Sequence, residues 1–212
     1  MARAPTVAVL DYGVGNLHSA TKALARAGAE VLVSADVAGA EAAAGLVVPG
    51  VGAYGACLHG LAGAGGPAGL RAWIEAGRPL LGVCVGMQLL FEASEEGPVD
   101  GGVGALAGTV RRLRGEVKIP HIGWDEVEPS PGSRLFAGLG GGTRFYFVHS
   151  YAADLGPDTA ATCDYAGKSW GGEGAAWSAA VERGNLFGTQ FHPEKSGAAG
   201  LRLLANFVEV CR

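Results

Sequence analysis

"PLLGVCVGMQLLF", residues 79–91, breaks an apolar run with Gly82 and Gly86 and sets Cys84 midway between them. A strand that ends and turns straight into a helix leaves one residue at the tip of a tight turn. The side chain at the tip stands above the carboxyl edge of the sheet, and small residues two places to either side relieve the crowding. The stretch therefore predicts a strand over 79–83, a nucleophile at Cys84 and a helix from Val85 that continues through "MQLLFEA", with Leu89 and Leu90 toward the sheet. The first N–H groups of that helix point at the sulfur, a setting that favours the reactive thiolate.

Outward from the kink, the first half of the chain alternates. "TVAVL" (6–10), "AEVLV" (29–33) and "GLVVP" (45–49) read as short strands. Between the first two, residues 16–28 place Leu17, Ala20, Leu24 and Ala27 on one helical face, with Asn16 as N-cap and Gly28 as stop. Helices near 53–62 and 67–77 precede the strand at 79–83. Continuous apolar strands separated by helices indicate a parallel sheet covered on both faces. The second half is β-rich: "GTVRRL", "HIGWDEVE", "RFYFVHSYAA", "TAATCDY", "AWSAAVER" and "NLFGTQF", then a helix over 197–210. The expected fold is α/β, one domain over 1–212: an open mixed sheet, mostly parallel, with helices on both faces and an antiparallel extension. Gly-rich 138–142 reads as a surface loop.

Composition narrows the function. The 212 residues suit one large domain, and a hydrophobic fraction of 49% supplies a core. No stretch approaches the roughly 18 apolar residues of a membrane span, and the start of the chain lacks the pattern of a signal peptide. A cytoplasmic, soluble protein is expected. A net charge of −4 argues against a nucleic-acid surface. Cys57, Cys84, Cys163 and Cys211 are far apart and contain no C-x-x-C pair, so neither a zinc site nor a disulfide scaffold is expected.

A thiol nucleophile needs a base, and the base needs an orienting group. His18 and His59 fall in helices, whereas His121 and His149 lie in or beside β segments with polar neighbours. His192 follows the apolar strand "NLFGTQF" and opens "HPEKS". Pro193 favours an extended chain, in which residues two apart point the same way, so Glu194 is expected beside the His192 ring. A third strand, "VVPGVGAYG" (47–55), ends in Pro49-Gly50-Val51-Gly52. Glycines there let backbone N–H groups reach a ligand, and with the N–H of Val85 they form a candidate oxyanion hole at Val51 and Gly52. Open α/β sheets bind ligands at the carboxyl edge where these three strand ends meet.

Taken together, "LDYGVGN" (10–16), "PGVGAY" (49–54), "GVCVGMQLLFE" (82–92), "IPHIGWDEV" (119–127), "YFVHSY" (146–151) and "GTQFHPEKSG" (188–197) resemble the class I (triad) glutamine amidotransferases. The elbow and "HPE" are shared by the class. "DYGxGN", "PGVG" and "PHxGW" are narrower and resemble the glutaminase subunits of imidazole glycerol phosphate synthase. The variable loop 168–176 departs in length and composition.

The resemblance implies a flavodoxin-like core and a Cys84–His192–Glu194 triad that hydrolyses L-glutamine without metal or organic cofactor. It implies glutamine binding by Gln88 and the backbone around Gly50, Gly52, Ser150 and Tyr151, with Glu96 toward the α-amino group. It also implies a heterodimer with a (β/α)8-barrel cyclase, docked through Asn16, Trp124, Tyr146 and Lys195. That cyclase uses the ammonia to make imidazole glycerol phosphate and aminoimidazole carboxamide ribotide in histidine biosynthesis. Two other readings are an amidotransferase subunit for another acceptor, such as one serving pyridoxal phosphate synthesis, and a thiol-sensing module on the same fold. The intact "HPE" disfavours the sensor, which needs no base. Val51 adds a further expectation: a β-branched residue rarely takes φ > 0, so the oxyanion turn rests misdirected until a partner docks.

Overall fold

The computed structural model describes residues 3–97, 102–114, 117–165 and 176–212; of the variable loop 168–176, all but Ala176 lies outside them. Five strands, β1 (Thr6–Leu10), β2 (Glu30–Ser34), β3 (Gly45–Gly50), β4 (Leu80–Cys84) and β12 (Leu186–Thr189), run parallel in the order β2-β1-β3-β4-β12. The three adjacent strands β3, β4 and β12 are buried throughout. Continuous burial is why their sequences are apolar without alternation.

Helices cover this core on both faces. α1 (Leu17–Arg26) packs against α5 (Gly197–Val210), and α2 (Tyr54–Gly63) packs against α3 (Gly66–Glu75). Asn16 caps α1, its Oδ1 accepting the Ser19 N–H at 3.4 Å, a contact of the kind worth about 1 kcal/mol. Beyond β12 the sheet turns antiparallel through β11 (Trp177–Arg183), β10 (Thr159–Cys163), β7 (His121–Pro129) and β8 (Thr143–His149). Aromatic rings fill the space over it: Phe145 stacks on Phe191 at 4.1 Å, and Phe147 meets Trp177 edge-on at 5.3 Å. Burying rings of this size stabilises by roughly 1.5–3 kcal/mol each. Gly138, Gly140, Gly141 and Gly142 are exposed, as a surface loop requires.

Two sequence expectations are corrected. The helix after the elbow, α4 (Val85–Gln88), is a single turn, and residues expected to continue it form β5 (Phe91–Ser94). The carbonyls of Leu89 and Leu90 are taken by the N–H groups of Val103, Ala105 and Leu106, so no further helical turn closes. The apolar segment instead pairs with β6 (Leu106–Arg112). Likewise 144–153 is not one strand. It splits at Ser150, and β9 (Tyr151–Ala153) leaves β7 to pair with β6 and β11. That split brings Ser150 and Tyr151 to the edge where β4 ends.

Candidate active site

Register explains the convergence. Gly50 at the end of β3 lies opposite Cys84 at the end of β4, and Thr189 at the end of β12 lies opposite Val83. Three chain segments therefore leave the same carboxyl edge side by side. Cys84 sits at φ 56°, ψ −114°, and among the described residues no other non-glycine has positive φ. Holding a side chain there costs about 1–3 kcal/mol, the signature of a functional turn. The flanking glycines are steric necessities. A Cβ on Gly86 would collide with the Val48 carbonyl, one on Gly82 with the Gly86 carbonyl, and one on Gly50 with the Gly86 N–H.

His192 leaves the same edge in extended geometry, but Pro193–Lys195 then form a 3-10 turn rather than the extended chain expected. Proline suits the first position of such a turn, where no N–H is needed. The turn still brings Glu194 Oε1 to 2.9 Å from His192 Nδ1, with both side chains almost fully buried. Burial alone pulls the His192 ring toward neutrality. The Cys84 thiol and the Glu194 carboxylate outweigh it and lift the ring to about 9. The Nδ1 contact leaves Nε2 for chemistry at the sulfur.

A cleft of about 320 Å³ opens over Cys84, Val85 and His192. Val51, Gly52, Gln88, Glu96, Ser150 and Tyr151 line it as well. Gly52 takes φ +85°, whereas Val51 stays outside the left-handed region and its carbonyl accepts the Cys57 thiol at 3.4 Å. Gly50, expected among the substrate contacts, does not line this cleft; it is packed against the elbow behind it. Glu96 accepts the Tyr54 N–H, and burial raises its carboxyl above the ordinary value despite that bond. Of the other thiols, Cys57 and Cys211 are pushed up by burial to about 11 and about 12, and Cys163 is raised as well.

Gln190 belongs to the site and was not anticipated. It is fully buried, its Nε2 donates to Cys84 Sγ at 3.8 Å, and its Oε1 accepts Gln88 Nε2 at 3.0 Å. The available signal was a polar pair, Thr189-Gln190, inside the otherwise apolar run before "HPE".

Of the four residues expected at a partner interface, three gather at the mouth. Trp124 is 48% exposed and meets Tyr146 edge-on at 6.1 Å, while Lys195 Nζ lies 5.9 Å from the Tyr146 ring centre. Lys195 also borders the cleft. Asn16 instead lines a small cavity beneath His192 and Glu194.

A strained cysteine elbow beside a histidine–carboxylate dyad is the architecture of a thiol amidotransferase. The model of the family "Glutamine amidotransferase class-I" matches residues 8–211, and the chain belongs to that class. Solved structures share the fold: a glutamine amidotransferase at TM-score 0.74 and 23% identity over 97% of this chain and 98% of that one. PurLQS from Thermotoga maritima superposes at TM-score 0.72 and 19% identity, over 98% of this chain and 99% of that one.

Narrower relatives cover nearly the whole chain. The imidazole glycerol phosphate synthase subunit HisH of Mycolicibacterium paratuberculosis is 52% identical over 96% of this chain and 97% of that protein. The same subunit of Streptomyces avermitilis is 49% identical over 98% of both. Within its class, the chain is a member of this HisH family.

Proposed function

We propose that residues 1–212 act as one cytoplasmic glutaminase domain that hydrolyses L-glutamine and passes the ammonia to a (β/α)8-barrel cyclase in a heterodimer. The acceptor reaction belongs to histidine biosynthesis and yields imidazole glycerol phosphate and aminoimidazole carboxamide ribotide. The observation that carries the chemistry is the strained Cys84 beside a His192 ring held by Glu194.

The Cys84 thiol gives its proton to His192 and its sulfur attacks the side-chain amide carbon of glutamine. A C–S bond forms and the carbonyl electron pair moves to oxygen. The Val85 N–H and the Val51–Gly52 turn stabilise that oxyanion. Collapse breaks the C–N bond as His192 protonates the leaving nitrogen, releasing ammonia and leaving a γ-glutamyl thioester. Water then attacks with His192 as base, the C–S bond breaks, and glutamate departs. Gln88, Gly52, Ser150 and Tyr151 hold the substrate, and Glu96 pairs its α-ammonium. Trp124, Tyr146 and Lys195 at the mouth, with Asn16 beneath the dyad, form the docking face, which sets the channel entrance over the sulfur.

The test is release of glutamate and ammonia by the full chain, alone and with the cyclase plus its ribonucleotide substrate. Co-purification with the cyclase and cyclase-dependent consumption of ammonia are expected. No glutamine hydrolysis under any of these conditions would overturn the assignment.

A further inference from the structure

His121 and His149 play no part in the reaction above, yet both are buried beside the cleft at 2% and 6% exposure. β7 and β8 place them directly opposite each other, with His121 Nδ1 3.2 Å from His149 Nε2. His149 Nδ1 lies 2.8 Å from the Tyr151 carbonyl oxygen. Burial pushes His121 down to about 4, which Asp125 at 3.4 Å offsets only in part. Burial, together with His121, pushes His149 down to about 3. Both rings are therefore neutral at pH 7, with one N–H each.

The His149 donor is fixed by its acceptor, and that of His121 by the closer of its two contacts, 3.2 Å to His149 Nε2 against 3.4 Å from its Nε2 to the Asp125 carboxylate. A carbonyl oxygen only accepts, so His149 carries its proton on Nδ1. Its Nε2 is bare and must accept, so His121 also carries its proton on Nδ1. Tyr151 O receives a second donor, Gln88 Nε2 at 3.0 Å, whose other hydrogen goes to Gln190 Oε1 at 3.0 Å. Both Gln88 N–H groups are thus committed, and Gln88 Oε1 is left buried with no partner in the wall of the cleft. Because Gln190 Oε1 is an acceptor, its nitrogen faces Cys84 Sγ.

We propose that His121 and His149 are positioning residues of the glutamine site: their hydrogen-bonded chain anchors the Tyr151 carbonyl, which with Gln190 locks the Gln88 amide so that a bare oxygen faces the substrate. The inference rests on the glutaminase reading and deepens it. An acceptor at Oε1 favours ligands that offer an N–H. Glutamine carries one on its side-chain amide as well as on its α-ammonium, whereas the glutamate product has lost the former. The lock thus makes the site select substrate over product.

Two measurements decide it. Nitrogen-15 NMR of the histidine rings in the full chain at neutral pH is expected to show both His121 and His149 protonated on Nδ1. A His149 protonated on Nε2 overturns the lock, whether or not the chain hydrolyses glutamine. Steady-state kinetics with the cyclase present then compare His149→Asn with His149→Leu. Asparagine reproduces the Nδ1 donor in length but is polar; leucine suits the apolar surroundings but donates nothing. A positioning role predicts that Leu raises KM by about tenfold, as for one buried hydrogen bond left unmade, with little change in kcat. Asn should stay closer to the parent, and the preference for glutamine over glutamate should fall more in Leu than in Asn. A packing role predicts the reverse order, and that result overturns the proposal. Should His149→Leu fail to fold, His121→Phe supplies the comparison: a smaller rise in KM in the same direction is expected, and an unchanged KM overturns the chain.

Discussion

Two groups of buried histidine sit within one site, and their surroundings shift them in opposite directions. His192 and the pair His121–His149 are all screened from water, and burial pulls every one of them toward neutrality. Only His192 escapes, because its neighbours are a thiol and a carboxylate that both favour a charged ring. His149 faces another imidazole and a carbonyl, and His121 has a single carboxylate at 3.4 Å. Depth therefore does not decide what a histidine does here; partner chemistry does. The proposed base is the ring lifted to about 9, and the proposed positioning rings are those lowered to about 3 and about 4.

The largest expected effect removes the partner that distinguishes the two groups. Cys84→Ala should abolish glutamine hydrolysis while leaving thermal stability and cyclase binding close to the parent, since losing one sulfur opens no large void. Cys163→Ala and Cys211→Ala, which remove buried thiols away from the cleft, should retain turnover. Retained glutaminase activity in pure Cys84→Ala would break the contrast at its root.

Next comes the ring itself. His192→Asn should lower kcat by about 10²–10⁴, the usual contribution of general acid–base transfer. Glu194→Gln should cost less, because the glutamate orients the ring and favours its charge without touching substrate. Both are measured at saturating glutamine. A more severe loss from Glu194→Gln would move the base away from His192.

A smaller effect sharpens the comparison through pH. The Cys84 thiol and then Glu194 raise His192, so the stability from these two partners together is present at pH 6 and is lost as pH rises through about 9. The gap in Tm between parent and Glu194→Gln should therefore be widest near pH 6 and close toward pH 9.5. The pair His121–His149 has the opposite sign. With folded values lowered to about 4 and about 3, its stability is in place above about 6.5 and is lost as pH falls through those values. His121→Phe should therefore lose less Tm than the parent on acidification from pH 6.5 to about 4. Melting curves that shift in the same direction for both variants would dissolve the distinction.

How much of this was legible beforehand depended on the range of the interaction. The elbow was readable because its pattern is local: Gly82, Cys84 and Gly86 sit at alternate positions of one short stretch, although the carbonyl that forces Gly86 belongs to Val48 on the adjacent strand. "HPE" was readable for the same reason, although the turn that seats Glu194 is 3-10 and not extended. Leu89-Leu90-Phe91 suits a helix in sequence because a short apolar run fits either period, and N–H groups from 103–106 decide the matter. The His121–His149 chain and Gln190 depend on registers between strands far apart in sequence. No short window along the chain contains the contacts that join them.

The smallest expected effect concerns the Val51–Gly52 turn, which lines the same cleft as His149. There the backbone is held by weaker means, since the Val51 carbonyl rests on the Cys57 thiol at 3.4 Å and Val51 avoids positive φ. A turn that must rotate to aim its N–H at an oxyanion meets resistance from the β-branched side chain, because Cβ crowds the backbone in left-handed geometry. Resting glutaminase activity should accordingly be low and should rise when the cyclase and its ribonucleotide are added. Val51→Gly removes the crowding, and glycine reaches positive φ at little cost. A several-fold rise in the unstimulated rate is expected, with a smaller gain on adding cyclase and a stimulated rate near that of the parent. The locked Gln88 amide is untouched, so KM for glutamine should change little. An unstimulated rate equal to the parent's would show that the turn is already aimed, and that both it and the Gln88 amide are set before any partner arrives.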